Sequence, residues 1–459
     1  MKKQYIEYQL IIFIATCSFT GCKKFVSIPP PLTQAESKVV FDNENAAMAA
    51  VAGLYSQMAQ TSLTFANAAS SVYPALSADE LWNTAANTDY DAFRTNEIND
   101  QATGLPRLWQ FGYRLIYHTN AVMEGLRKST SINPELRNQL HGEMLIVRSF
   151  CYFHLVNLFG DIPLVLSTNF EITGSQPRTP VNDIYDQLQK DITEAVSLLP
   201  ESNPGNVRTR PVKYAAHTLL ARLHLFRQNW NEAEQRATEV INSGQFMLSN
   251  NLNTIFETSS KEAIWQLSSV STLLNTSEGS LFIPATATAR PAFAATPSLL
   301  SAIETDDQRK SAWLAGVTVS GIQYAYPFKY KVRRGEPPYK EYTVLMRLAE
   351  VYLIRAEALA QQDKLDQALV DLNIIRKRAG LPEITNDNKQ EILLAIEQER
   401  RIELMFEWGH RWNDLKRTGK ADQVLSVIKA PYWEDTDKLY PIPRYELESN
   451  PFLYQNPGY

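Results

Sequence analysis

Glu399 and Glu403 stand one helical turn apart in EQERRIELMFEWGHRWNDLKR, residues 397–417, and are the first candidates for acid–base chemistry. A carboxylate pair cleaves a glycosidic bond when about 5 to 9.5 Å separates its members across a cleft and one of them keeps its proton. Here Arg400 and Arg401 lie between the two in sequence, and helical pairing with guanidinium predicts that both carboxyls stay ionised. His410 and Asp414 have the i, i+4 spacing of two metal ligands. Beside Arg411, Trp412 and Lys416 they read better as part of an ion-pair cluster. His217 and His224, inside AAHTLLARLHLF, read as packing histidines. Asp79 and Glu80 are adjacent in an expected loop, where they could meet calcium or a sugar, or simply form a solvated turn or a cap. The chain has no G-x-S-x-G, P-loop, H-E-x-x-H or pair of C-x-x-C motifs. No catalytic residue, metal ligand or cofactor is therefore assigned.

The aromatic residues offer a different chemistry. Trp82, Tyr90 and Phe93 cluster in one stretch, and Phe282, Phe293, Tyr324 and Tyr326 in another. A flat ring can lie against the apolar C–H face of a sugar while neighbouring polar side chains satisfy its hydroxyls. Asn83, Asn87, Asp89 and Arg94 are spaced to do that around Trp82. The candidate glycan contacts are Trp82, Asn83, Tyr90, Phe93, Arg94, Phe282 and Tyr324. The competing reading is that these rings pack loops onto helices.

Helices must carry these residues. Leu140, Met144, Val147, Cys151, Leu155 and Leu158 recur every three or four positions, Asn133 and Pro134 supply a start, and Gly160 and Pro163 a stop. The spacing predicts a helix over about 134–159. TPVNDIYDQLQKDITEAVSLLP predicts another, with Thr179 as cap, Pro180 in the first turn and an end near Pro200. Residues 214–243 and 345–380 look like two copies of one unit: Ala221 and Ala233, like Ala356 and Ala368, flank a turn. Small residues there let antiparallel helices approach closely, as in tetratricopeptide repeats, although a generic helical hairpin has the same pattern. Residues 61–105 and 246–342 lack a sustained helical period. Short strands are expected at AIWQLSS and IQYAYPFKYKV, with long loops around them where a ligand would be met.

The chain start reads as a secretory leader: Lys2 and Lys3, then an apolar run Leu10 to Ala15, then FTGC at residues 19–22. The run is shorter than the roughly 20 residues that span a bilayer. Cleavage before Cys22 would expose a thiol for acylation, and several acyl chains anchor a protein stably. An ordinary cleaved leader with a coincidental cysteine is the alternative. Pro29, Pro30 and Pro31 suit a stiff tether. With Cys17 in the leader and Cys22 lipidated, Cys151 would be alone, so no internal disulfide is expected. A net charge of −5 without a basic block argues against nucleic acid as a partner.

Six blocks now carry a resemblance: RSFCYFHLVNLFGDIPLV, TPVNDIYDQLQKDITEAVSLLP, AAHTLLARLHLF with NWNEAEQRATEVINSGQFML, RLAEVYLIRAEALA, ERRIELMFEWGHRWNDLKR and YPIPRYELESNPFLYQNPGY. In this order they resemble the SusD/RagB family of outer-membrane nutrient-binding lipoproteins of Bacteroidetes. The resemblance implies an all-α fold of tetratricopeptide-like helix pairs with long loop and short β-hairpin insertions. It implies a leader over 1–21, a tether over 22–43, and one compact domain made of an N-terminal region 44–270 and a C-terminal region 271–459. It also implies a non-catalytic, lipid-anchored protein on the outer face of the outer membrane. Such a protein captures oligosaccharides, or in some members peptides, and serves as lid to a SusC-like TonB-dependent transporter. A surface glycoside hydrolase is the remaining alternative. The matching blocks fall on scaffold helices, so no ligand residue is carried over from the family.

Overall fold

The computed structural model describes residues 40–60, 63–206 and 208–459. The leader, Cys22 and all but the last residues of the tether lie outside them. Helix α1 (Glu44–Gln60) leads into α2 (Ala69–Ser77), strand β1 (Leu81–Asn83), α3 (Thr88–Thr95) and α4 (Gly104–Lys128). Helix α5 (Pro134–Phe159) matches the expected bounds, with the Asn133 side-chain oxygen accepting from the Glu135 amide at 2.8 Å and Gly160 ending it at φ 72°. Its six periodic apolar residues are all buried, each contributing roughly 1.5–3 kcal/mol when it is a large aliphatic side chain.

Helix α6 (Val181–Leu198) starts differently from the expectation. Thr179 is not its cap: it bridges to Ile162 in extended backbone, and Pro180 takes the cap position. Pro180 brings no side-chain acceptor, so Asp161 supplies one, its Oδ1 accepting from the Val181 amide at 3.0 Å.

The two repeated units form helical hairpins, α7 (Lys213–Phe226) with α8 (Trp230–Asn242) and, further on, α9 (Leu348–Gln361) with α10 (Leu365–Arg378). Ala221, Ala233, Ala356 and Ala368 are fully buried at the close approaches. Each helix from α4 to α10 packs on the next, so that the hairpins stand in one continuous row, and α11 (Lys389–Glu403) closes it against α9 and α10. Helix α12 (His410–Arg417) follows. No described helix is long and apolar enough to cross a membrane.

Beside this row lie three two-stranded antiparallel sheets. β2 (Ala263–Leu267) pairs with β6 (Thr343–Arg347), β1 with β3 (Phe293–Ala295), and β4 (Leu314–Val319) with β5 (Ile322–Pro327). The strands expected at AIWQLSS and IQYAYPFKYKV are thus β2 and β5. The irregular reading of 61–105 needs correction, because α2 and α3 lie there. Every residue of α2 is buried, including Pro74, and burial on all sides erases the one-sided apolar period by which a helix is recognised.

Candidate functional site

Strand β1 turns its side chains alternately: Leu81 and Asn83 inward, Trp82 outward and partly exposed. Opposite it, Ala294 of β3 faces Trp82, and a small side chain at that register leaves room for the indole. The hairpin β4–β5 turns at Ser320 and Gly321, both at positive φ, and lays β5 beside β3. The Trp82 and Tyr324 rings then stack, 5.8 Å between centroids and 28° between planes. Trp82 Nε1 donates to the Ala295 carbonyl at 3.2 Å, which fixes the ring. Val319 and Tyr326, also partly buried, complete a small apolar cluster separate from the main core.

Two exposed segments adjoin β1 and β3 in the chain. Residues 85–88 lead into α3, where Asn87 Oδ1 accepts from the amides of Asp89 and Tyr90, both at 3.1 Å. Asn87 is thus committed as a helix cap. Residues 285–288, also exposed, precede β3 in the chain. Arg290 ties that strap down by donating to the Thr84 carbonyl at 3.0 Å. Arg290 and Thr84 are 206 positions apart, and nothing local in the sequence marks them as neighbours.

Of the expected glycan contacts, the structure brings Trp82 and Tyr324 together and places Asn83, Tyr90 and Arg94 nearby. Asn83 is buried, donating from Nδ2 to the Ala85 carbonyl and to Asp91 Oδ1 at 2.9 and 3.0 Å. Arg94 reaches the same Asp91 oxygen at 3.2 Å and keeps its side chain 40% exposed. Partial burial pushes the Asp91 carboxyl up, but the bonds from Asn83, the Asn87 amide and Arg94 outweigh it and hold the group below the usual range. Tyr90 is half-buried and meets Phe293 edge-on at 4.9 Å.

Phe93, Phe282 and Tyr324 must be corrected as direct ring platforms, because all three are buried. Phe93 sits on the inner face of α3 against Tyr73 and Tyr440, at 4.5 and 5.2 Å. Phe282 packs under Phe293 at 6.1 Å. Tyr324 backs Trp82 from below. These rings support the ledge rather than present it.

The acidic candidates are bound up inside the protein. Glu399 and Glu403 meet arginines from distant elements: Arg309 reaches Glu403 at 3.1 Å and also binds Glu399, while Arg376 reaches Glu399 at 3.4 Å. Arg347 and Arg378 bind Glu403 as well. Their sequence neighbours look elsewhere, Arg400 to Asp414 at 2.9 Å and Arg401 to Asp79 at 2.6 Å. The expectation that both carboxyls are held down is half right. Burial raises Glu403, yet Arg378, Arg347 and Arg309 together hold it well below the usual range. At Glu399 burial wins over Arg309 and the group is raised.

Asp79 and Glu80 are not in a solvated turn. Both are buried. Asp79 accepts from Arg411 Nε at 2.8 Å. Glu80, deprived of water and beside the Asp79 charge, is pushed up to about 8. His410 and Asp414 lie in the expected ion-pair cluster, with burial lowering the imidazole to about 4. His217 is buried and lowered to about 4 by the same cause, as suits a packing residue. Among the described residues no three His, Cys, Asp or Glu side chains converge as a metal site.

A row of tetratricopeptide-like hairpins flanked by short sheets is the SusD-like class of fold. The chain belongs to the SusD/RagB family. One family model, described as starch-binding associating with outer membrane, matches residues 30–225, and the SusD family model matches residues 324–459. SusD-like protein P25 of Formosa agariphila is 24% identical over 98% of this chain and 97% of that one. A crystal structure of a SusD superfamily protein from Bacteroides vulgatus superimposes with TM-score 0.81 at 21% identity, covering 91% of this chain and all of the other. A structure titled laminarin binding SusD-like protein superimposes with TM-score 0.76 at 24% identity and the same coverage.

Proposed function

We propose that this chain is a non-catalytic cell-surface lipoprotein, acylated at Cys22, that captures oligosaccharides and delivers them to a SusC-like TonB-dependent transporter in the outer membrane. The observation that carries the reading is the Trp82 indole, held by its own N–H and by Tyr324 and left partly exposed. A pinned ring loses little freedom when a sugar lies on it, which favours binding. The family description as starch-binding and the laminarin-binding neighbour support a glycan as cargo. The non-catalytic reading is supported by the state of Glu399 and Glu403, both buried and paired with arginines. A lid must also release its cargo, so an affinity between micromolar and millimolar, about 4 to 8 kcal/mol, suits the role.

In this reading the leader covers 1–21, the tether 22–43, and regions 44–270 and 271–459 make one body. The test is affinity electrophoresis in gels containing candidate polysaccharides. Purified protein should be retarded by its own glycan and release no reducing sugar. Steady turnover by pure protein, lost on Glu399→Gln, would replace this reading with that of a hydrolase.

A further inference from the structure

A cavity of about 710 Å³ opens between the C-terminal end of α5, the start of α6, helix α12 and the chain end near Tyr454, and shares no lining residue with the Trp82 ledge. Four cations line it, and they differ in how they are neutralised. Arg417 is matched by Glu357 and Asp414, and Lys438 by Asp422 and Asp435. Lys416 and Arg178 have no carboxylate within ion-pair distance among the described residues.

Lys416 Nζ donates to the Asn157 carbonyl and lies 5.1 Å from the centre of the Trp412 ring. Burial alone, with no counter-charge to oppose it, lowers this ammonium to about 7. Arg178 spends four of its five donors on neutral oxygens, the carbonyls of Asp161, Tyr454 and Phe159, at 2.7, 3.0 and 3.4 Å, and Asn456 Oδ1, which leaves one N–H on Nη1. The nearby Asp161 carboxylate is occupied in capping α6.

Two further observations point to a ligand. Asn413, only 5% exposed and lining the cavity, has a side-chain oxygen without a hydrogen-bond partner among the described residues. Buried polar atoms are rarely left so unless water or a ligand meets them. Tyr454 is 60% exposed, with the Arg178 guanidinium 4.6 Å from its ring centre. An exposed ring fixed in that way presents a firm face to an incoming molecule.

We propose that this cavity is a second binding site, selective for a saccharide that carries a carboxylate, that is, a uronate. Lys416 and Arg178 provide two donors for the two carboxylate oxygens. A ring hydroxyl meets Asn413, and the apolar face of the sugar meets Tyr454. The saccharide part rests on the oligosaccharide-capture reading above, whereas the anion part does not.

Calorimetric titration of the full chain with a galacturonate trisaccharide, the neutral galactose trisaccharide of the same linkage, and inorganic sulfate tests this. The uronate should bind about tenfold more tightly than the neutral sugar, as expected for charge-assisted bonds. Lys416→Met should remove that preference, and Tyr454→Ala, an exposed substitution that leaves the fold alone, should weaken uronate binding. In Trp82→Ala the uronate should still bind, so a failure of the ledge is read separately from a failure of the cavity. Equal affinity for acidic and neutral sugars, no binding of the uronate, or unchanged binding in both Lys416→Met and Tyr454→Ala overturns the proposal. Inorganic sulfate competing as strongly as the trisaccharide overturns its saccharide part.

Discussion

Trp82 and Tyr324 lie 5.8 Å apart with their planes 28° from parallel, although 242 positions separate them in the chain. One ring is buried and the other partly open. Tyr324 is therefore a floor, and Trp82 is the surface standing on it.

Trp82→Ala should abolish retention in a glycan-containing gel while the protein stays folded. An aromatic side chain buries about 150–250 Å², and a sugar covering roughly half of that at about 25 cal/mol per Å² gains about 2 to 3 kcal/mol, so its removal accounts for at least a tenfold loss. Tyr324→Leu should weaken retention less, since it removes only the floor. Retention unchanged in Trp82→Ala, measured beside a melting curve that shows native protein, would place the glycan elsewhere.

Arg347 joins Glu262, Glu403 and Glu407, the last through two bonds of 2.8 and 2.9 Å, with every partner at or near full burial. Removing one side of a buried ion pair strands the other in low dielectric, at a cost of about 3–5 kcal/mol. Arg347→Met should therefore lower the urea midpoint sharply or prevent folding. Arg347→Lys should recover little, because an ammonium cannot span the forked contacts. A midpoint within experimental error of the native one would show that the network carries no such stress.

Glu80 sets a pH dependence whose sign is unusual for a carboxylate. Folded, it keeps its proton to about pH 8; unfolded, it loses it near its ordinary value of 4.5. The folded state thus binds the extra proton between those limits. Its contribution is complete below about pH 4.5, drains as pH rises toward about 8, and stays constant above. The slope is at most about 1.4 kcal/mol per pH unit. Glu80→Gln mimics the protonated form and should flatten that limb, gaining stability relative to native protein at pH 8.5 but not at pH 5. Chemical denaturation at both values checks it.

Cys151 is fully buried, and loss of water pushes its thiol well up. The thiolate is the reactive form, so alkylation in native buffer should leave Cys151 untouched. Adding denaturant should expose one further reactive thiol per chain, as read by mass spectrometry of the peptide holding it. Labelling of Cys151 in folded protein would mean that α5 opens locally.

What the sequence determined by itself is the helical row. The period of Leu140 to Leu158, the Asn133 cap and the paired alanines at 221, 233, 356 and 368 are relations between residues a few turns apart, and a helix is made of such local relations. α2 leaves no such trace in the sequence, because full burial leaves no polar face to contrast with an apolar one. The partners of charged and aromatic groups were decided by tertiary structure alone. Glu399 and Glu403 suggest Arg400 and Arg401 by proximity in sequence, yet the helix turns those arginines toward Asp414 and Asp79, and the glutamates meet Arg309, Arg347, Arg376 and Arg378. Likewise seven rings in two stretches look alike on paper. Only the packing of α3 on α2, the pairing of β1 with β3 and the hairpin laid beside them bury Phe93, Phe282 and Tyr324 and leave Trp82 partly exposed. Electrostatic and stacking energies depend on distance in space, and across hundreds of residues that distance is set by how the helices pack.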